Sequence, residues 1–131
     1  MDIDNNIQSL GMPTLLIVDD AAEYVNSLKN ALKSEFDIVC ALTLEDAKKK
    51  TDGTVDVVLA DIRLDEANPD NQDGVILLEW IKNKFPDKPV VLMSAYMPDG
   101  GKALIAKGAA AFMEKPVFLT ELRKLLQKLC V

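Results

Sequence analysis

Short apolar runs alternate with amphipathic stretches along almost the whole chain, and nothing else in the sequence limits the fold as much. Thr14–Asp19 (TLLIVD) is a brief run of the kind that a parallel strand covered on both faces requires. Beyond it, Tyr24, Val25, Leu28 and Leu32 recur at helical spacing, with Asp20 placed to cap that helix. Phe36–Ala41 reads as a second strand and Leu44–Lys50 as a short helix capped by Thr43. Val55–Ala60 is a third strand that delivers Asp61 to its carboxyl end. After a polar loop from Ile62 to Asp73, Val75, Leu78 and Ile81 form one stripe of a helix that stops before Pro86. Pro89–Met93 is a fourth strand reaching Ser94, and Met97–Lys107 a weak helix broken early by Pro98, Gly100 and Gly101. Ala110–Met113 is a fifth strand leading to Lys115 and Pro116, and a last helix carries Phe118, Leu122, Leu125 and Leu129 on one face. Five strands and five helices in strict alternation predict an α/β fold, a doubly wound five-stranded parallel sheet with helices on both sides.

At 131 residues the chain fits one such domain, expected over residues 14–131, behind a tail of residues 1–13. That tail carries two acids and no base, so it lacks the charged start of a secretory signal. No run approaches the length of a membrane span, and a cytoplasmic protein with no membrane partner is expected. The net charge of −6 argues against gripping nucleic acid directly, because phosphate neutralisation needs a basic surface. Zero histidines exclude a Ser-His-Asp triad, a Cys-His pair and an HExxH zinc site. Cys40 and Cys130 have no partners at metal-ligand spacing and are expected to be buried thiols.

In a sheet of this kind, ligands bind beyond the carboxyl ends of the strands. That rule selects Asp19, Asp20, Asp61, Ser94 and Lys115, which follow four different strands. Taken singly, each has an ordinary structural reading: an aspartate ending a strand often caps a helix, and lysines and serines are common in turns. Taken together, three carboxylates in one place repel one another unless a cation joins them. Magnesium suits such a site, since it is commonly held by one or two carboxylates together with phosphate and water. The two charges of that ion and the one of Lys115 would balance the three acids. Both cations could then meet the added charge of a phosphoryl group, with the Ser94 hydroxyl donating to one of its oxygens.

The blocks LLIVDD, VVLADI, VVLMSA and FMEKP, in this order, resemble the signature blocks of a two-component response regulator receiver domain, of the CheY-like (flavodoxin-like) fold. The resemblance extends from about Thr14 to Val131. It implies that Asp61 is the phosphoacceptor and that Asp19 and Asp20 are the acidic pair of the metal site. It further implies that the metal, magnesium or manganese, also takes the backbone carbonyl of Arg63. Ser94, the backbone of Ala95, and Lys115 would hold the phosphoryl group, with Phe112 at the aromatic switch position and Pro116 in a cis-like turn. Arg63 and Tyr96 would tune the lifetime of the acyl phosphate. The implied partners are a histidine kinase or phosphotransfer protein and a separate downstream protein, docking on the face of the fourth helix, fifth strand and fifth helix. The chain would be a monomer or a phosphorylation-dependent homodimer, a signalling switch rather than an enzyme with turnover.

The sequence departs from that family at one place above all. Twelve residues, IRLDEANPDNQD, separate Asp61 from Gly74, a longer segment than the family usually has there. Its acids, Asp65, Glu66, Asp70 and Asp73, do not fit a calcium EF-hand, which needs glycine at the sixth position. The segment has few apolar residues, so it is expected to be a solvated insertion, mobile on its own and ordered only by a partner or the neighbouring metal site, with a lid or docking element beside the acceptor as the alternative. A haloacid dehalogenase type of hydrolase would need an acid two residues after its nucleophile, where Arg63 stands. No GxGxxG follows the first strand, and DGGK at Asp99–Lys102 lacks the rest of a phosphate loop. A docking module that has lost its chemistry would not be expected to retain the full set of five polar residues.

Overall fold

The structure, a computed structural model, describes residues 11–97 and 99–130. Most of the expected tail, together with Pro98 and Val131, lies outside the described residues. In chain order the elements are β1 (Thr14–Val18), α1 (Ala22–Leu32), β2 (Asp37–Ala41), α2 (Leu44–Lys50) and β3 (Val57–Asp61). They continue with α3 (Asp73–Lys84), β4 (Val90–Ser94), α4 (Lys102–Ala106), β5 (Ala111–Glu114) and α5 (Leu119–Leu129). The strands are all parallel, in the order β2-β1-β3-β4-β5. Among the described residues, no helix is long and apolar enough to cross a membrane.

The strands are apolar throughout because each side of the sheet is covered, and period-2 alternation distributes their side chains. Leu16, Val18, Val58, Ala60, Val90 and Leu92 face one way and pack with Leu77, Leu78 and Ile81 of α3 and Leu104 of α4. Leu15, Ile17, Val57, Leu59, Val91 and Met93 face the other and pack with Val25, Leu28 and Leu32 of α1 and Leu122 and Leu126 of α5. Central β3 is buried along its whole length, so its last residue, Asp61, emerges from the middle of the core. The order of strands reverses between β1 and β3, which opens the ligand crevice of such sheets at their carboxyl ends.

Local chemistry sets the boundaries. Thr43 caps α2 by accepting the amide of Asp46 at 3.1 Å. Asp20 does not cap α1: Ala21 holds that position, and Asp19 Oδ1 accepts the Ala21 amide at 3.0 Å instead. The weak helix expected over Met97–Lys107, broken early at the glycines, runs only from Lys102 to Ala106, with Gly101 at a φ of 86° just before it. Phe118 is not on the buried face of α5 but stands at its cap and is 67% exposed, while Leu122 and Leu126 are buried. Both cysteines are free and half-buried rather than fully enclosed. Arg123 pairs with Glu35 and donates to the carbonyl of Ala31, fastening α5 to the end of α1.

Candidate functional site

The crevice between β1 and β3 gathers the three acids that the sequence singles out. Asp19, the residue after β1, is fully buried, its amide bonded to the Ala41 carbonyl of β2 at 3.1 Å. Each of Asp19, Asp20 and Asp61 offers a carboxylate oxygen, and these oxygens lie within 4.8 Å of one another. Lys115, just past β5, reaches across to them: its Nζ donates to Asp19 Oδ2 at 2.8 Å and lies 3.3 Å from Asp61 Oδ2. The same ammonium sits 4.7 Å from the centre of the Tyr24 ring on α1, a favourable cation–π placement.

Two opposed effects act on the acceptor position. Burial pushes the Asp61 carboxyl up to about 6; the Lys115 charge pulls it down, Asp19 raises it further, and hydrogen bonds from Lys115 and the Arg63 amide lower it. Burial would lower the Lys115 pKa, but the hydrogen bond and charge of Asp19, with those of Asp61, outweigh it and raise it. The Tyr24 hydroxyl is pushed up chiefly by burial, with Lys115 opposing and the two acids adding. Protonation is therefore costly at Lys115 to lose and easy at Asp61 to gain.

Among the described residues, two buried side-chain polar atoms have no hydrogen-bond partner, Asp20 Oδ1 and the Tyr24 hydroxyl oxygen. A buried carboxylate oxygen without a donor is expensive unless something positive reaches it. Three carboxylates in oxygen-ligand range, one of them with such an orphaned oxygen, fit a hard divalent ion in charge and in donor type. Asp19, Asp20 and Asp61 would hold it.

A cleft of about 400 Å³ opens from Asp61 toward solvent, lined among others by Arg63, Glu66, Ser94, Tyr96 and Lys115. Ala95 borders it as well. The Ser94 hydroxyl is engaged locally, donating to the Tyr96 carbonyl at 3.1 Å and accepting the Tyr96 amide at 3.3 Å. Tyr96 is 73% exposed, so its ring stands at the mouth of the cleft rather than in the core. Phe112, on β5, is half-buried against the cluster that includes Leu104. A Cβ on Gly101 would lie 2.7 Å from the Phe112 side chain, so this glycine lets the ring lie against the backbone. The Lys115–Pro116 peptide is cis.

The segment after Asp61 is solvated over residues 65–70, as expected, and is also tied to itself by internal hydrogen bonds. Ile62 and Leu64 are buried. Asn71 Oδ1 accepts the amides of Leu64 and Asp73, each at 3.0 Å, and so closes the segment on itself. Within it, Asp65 and Asn68 accept the amides of Ala67 and Asp70. The segment also touches the acidic site, because the Glu66 amide donates to Asp20 Oδ2 at 3.1 Å. Side-chain amides and carboxylates thus supply the order that apolar residues do not. Tyr24, Glu66 and Asn71 are the site residues that sequence reasoning misses. Tyr24 merges into the apolar stripe of its helix, and loop asparagines and acids leave no periodic signal.

The model of the response regulator receiver domain family matches residues 15–127. The transcriptional regulatory protein CssR of Bacillus subtilis is 33% identical over 118 residues, which cover 88% of this chain and 50% of CssR. The chain spans between 16% and 50% of the length of the curated relatives it matches. Among solved structures, the non-phosphorylated HemR receiver domain of Leptospira biflexa is 28% identical with a TM-score of 0.78, covering 90% of this chain and 94% of that one. The beryllofluoride-activated NtrC4 receiver domain dimer, also 28% identical, has a TM-score of 0.79 and covers 91% of this chain and 97% of that one.

Proposed function

Because the chain belongs to the response regulator receiver domain family, and hence to two-component phosphorylation signalling, we propose that Asp61 accepts a phosphoryl group from a partner's phosphohistidine. The donor is a histidine kinase or phosphotransfer protein, since this sequence holds no histidine of its own. As the donor's P–N bond breaks, a P–O bond forms to an Asp61 carboxylate oxygen, and the imidazole nitrogen leaves with the electron pair.

The observation that carries this reading is the place of Asp61, at the head of buried β3, 3.3 Å from the Lys115 ammonium and open to a cleft. A divalent ion held by Asp19, Asp20 and Asp61, with the Arg63 carbonyl, supplies positive charge at the phosphoryl oxygens when bound. Lys115 supplies a further charge-assisted contact, and the Ala95 backbone borders the seat. Ser94 gives up its bond to the Tyr96 carbonyl and donates to a phosphoryl oxygen instead. That exchange couples the acceptor to Tyr96 and, through the adjoining β5 strand, to Phe112. The output surface is the face of α4, β5 and α5, read by a separate protein or by a second copy of the chain. Arg63 and Tyr96 flank the cleft and slow the entry of water that hydrolyses the acyl phosphate.

Intact mass after incubation with acetyl phosphate and magnesium tests the reading. One added phosphoryl group is expected, lost in Asp61→Asn and absent when a chelator replaces magnesium. A modified Asp61→Asn protein, or equal modification in chelator, overturns it.

A further inference from the structure

Asp20 is held from outside the strands that deliver the other acids. Its Oδ2 accepts the backbone amide of Glu66, 46 positions away, while its Oδ1 is buried without a partner. Glu66 belongs to the folded segment between β3 and α3, whose two ends are tied together by Asn71 Oδ1. A carboxylate fixed through one oxygen presents the other in a single direction, and outer partners of this kind orient ligands and tune affinity.

We propose that this segment is a metal-positioning clasp: the Glu66 amide locks Asp20 so that its free oxygen faces a divalent cation, and the segment thereby sets how tightly the site holds that ion. The inference rests on the divalent-cation reading of the three acids. It assigns the role to a backbone amide, so the identity of the Glu66 side chain is secondary. Asn71 acts one step further out, as the residue that keeps the amide in place. Coupling of this sort is reciprocal: an ion that is helped by the clasp must in turn hold the clasp closed.

The geometry supplies a substitution that removes the donor alone. Asn68 donates its amide to the Asp65 carbonyl at 3.0 Å, which makes Glu66 the second residue of a four-residue turn, a position that favours proline. Glu66→Pro therefore keeps the turn and deletes the amide hydrogen. Glu66→Ala deletes the same carboxylate and keeps the amide, so the two variants differ in the donor.

Magnesium binding by calorimetry is compared in the full-length protein and both variants. Glu66→Pro should bind roughly 10-fold more weakly than Glu66→Ala. Equal affinities in these two variants overturn the clasp while leaving the metal reading intact. A parent protein that binds no magnesium at all overturns the metal reading itself and the clasp with it. The unmodified protein gives a second measurement, needed if Glu66→Pro fails to fold by circular dichroism. Solvent exchange of the Glu66 amide, followed by NMR, should slow several-fold when magnesium saturates the site. Exchange that is indifferent to magnesium overturns the proposal on its own.

Discussion

Lys115 bridges Asp19 and Asp61 where a divalent ion would also draw on both acids, so the lysine and the ion are neighbours of like charge. Lys115→Ala should therefore bind magnesium more tightly, by roughly 3- to 10-fold, because a repulsive charge is gone from a poorly solvated site. Calorimetry at fixed ionic strength measures it, and weaker binding would mean that Lys115 chiefly keeps the acids in place. Asp61 makes the opposite kind of statement about stability. Its folded pKa of about 6 lies above the ordinary carboxylate value, so between those two pH values the folded state binds more protons than the unfolded one. The stabilisation from that protonation is complete below the unfolded pKa and is lost as pH rises through about 6. In chelator, Asp61→Asn should thus be more stable than the parent above pH 6, by roughly 1–2 kcal/mol allowing for solvent at the open side of the group. The advantage should fade below about pH 4, as urea titrations across that range would show. Asp19, Asp61 and Lys115 were legible in the sequence because each stands where a strand ends. Glu66 was not, because what it contributes is an amide that every residue but proline possesses.

Gly74 shows how tightly the elements are fitted around that site. It opens α3 with its amide bonded to the Ile62 carbonyl at 2.8 Å, and a Cβ there would lie 2.2 Å from the Asp61 carbonyl oxygen. That obstacle is backbone at the end of β3, so it cannot swing aside. Gly74→Ala should cost about 3 kcal/mol or more and disturb Asp61 as well. Gly53, with nothing within 4 Å of its added Cβ, is the control: Gly53→Ala should change stability by less than about 0.5 kcal/mol. Denaturant midpoints of the two variants make the comparison. The same elements show where sequence patterns stop being informative. Buried strands announce themselves as apolar runs, and the stripe on α3 announces a helix. Gly100 and Gly101 announce the early break before α4, whereas the order of the segment after Asp61 depends on Asn71 meeting two amides. Phe118 misled because a helical spacing continues past the point where the helix begins, at Leu119.

At the scale of the molecule, the sheet divides the interior into two clusters, one under α2, α3 and α4 and one under α1 and α5. The architecture was readable because parallel connection leaves few alternatives once five strands and five helices alternate. The acidic crevice sits at the join of the two halves, so an ion bound there should stabilise the domain as a unit. Magnesium at 100 times its dissociation constant should add about 2.7 kcal/mol, which for a domain of this size is a rise of several degrees in the melting temperature. Differential scanning calorimetry should show the rise in the parent protein and its loss in Asp20→Ala. The Lys115–Asp19 contact joins residues 96 positions apart, and it has a bearing on synthesis. While the chain is still emerging, Asp19 and Asp61 are made long before the cation that pairs with them. Chains cut short of Lys115 would hold the acids but not their counter-charge. On the proposed function, a phosphoryl donor meeting such a chain would find no Lys115 ammonium at the acceptor. Only a chain synthesised past Lys115 would then carry the full set of groups that a phosphoryl acceptor of the proposed kind needs.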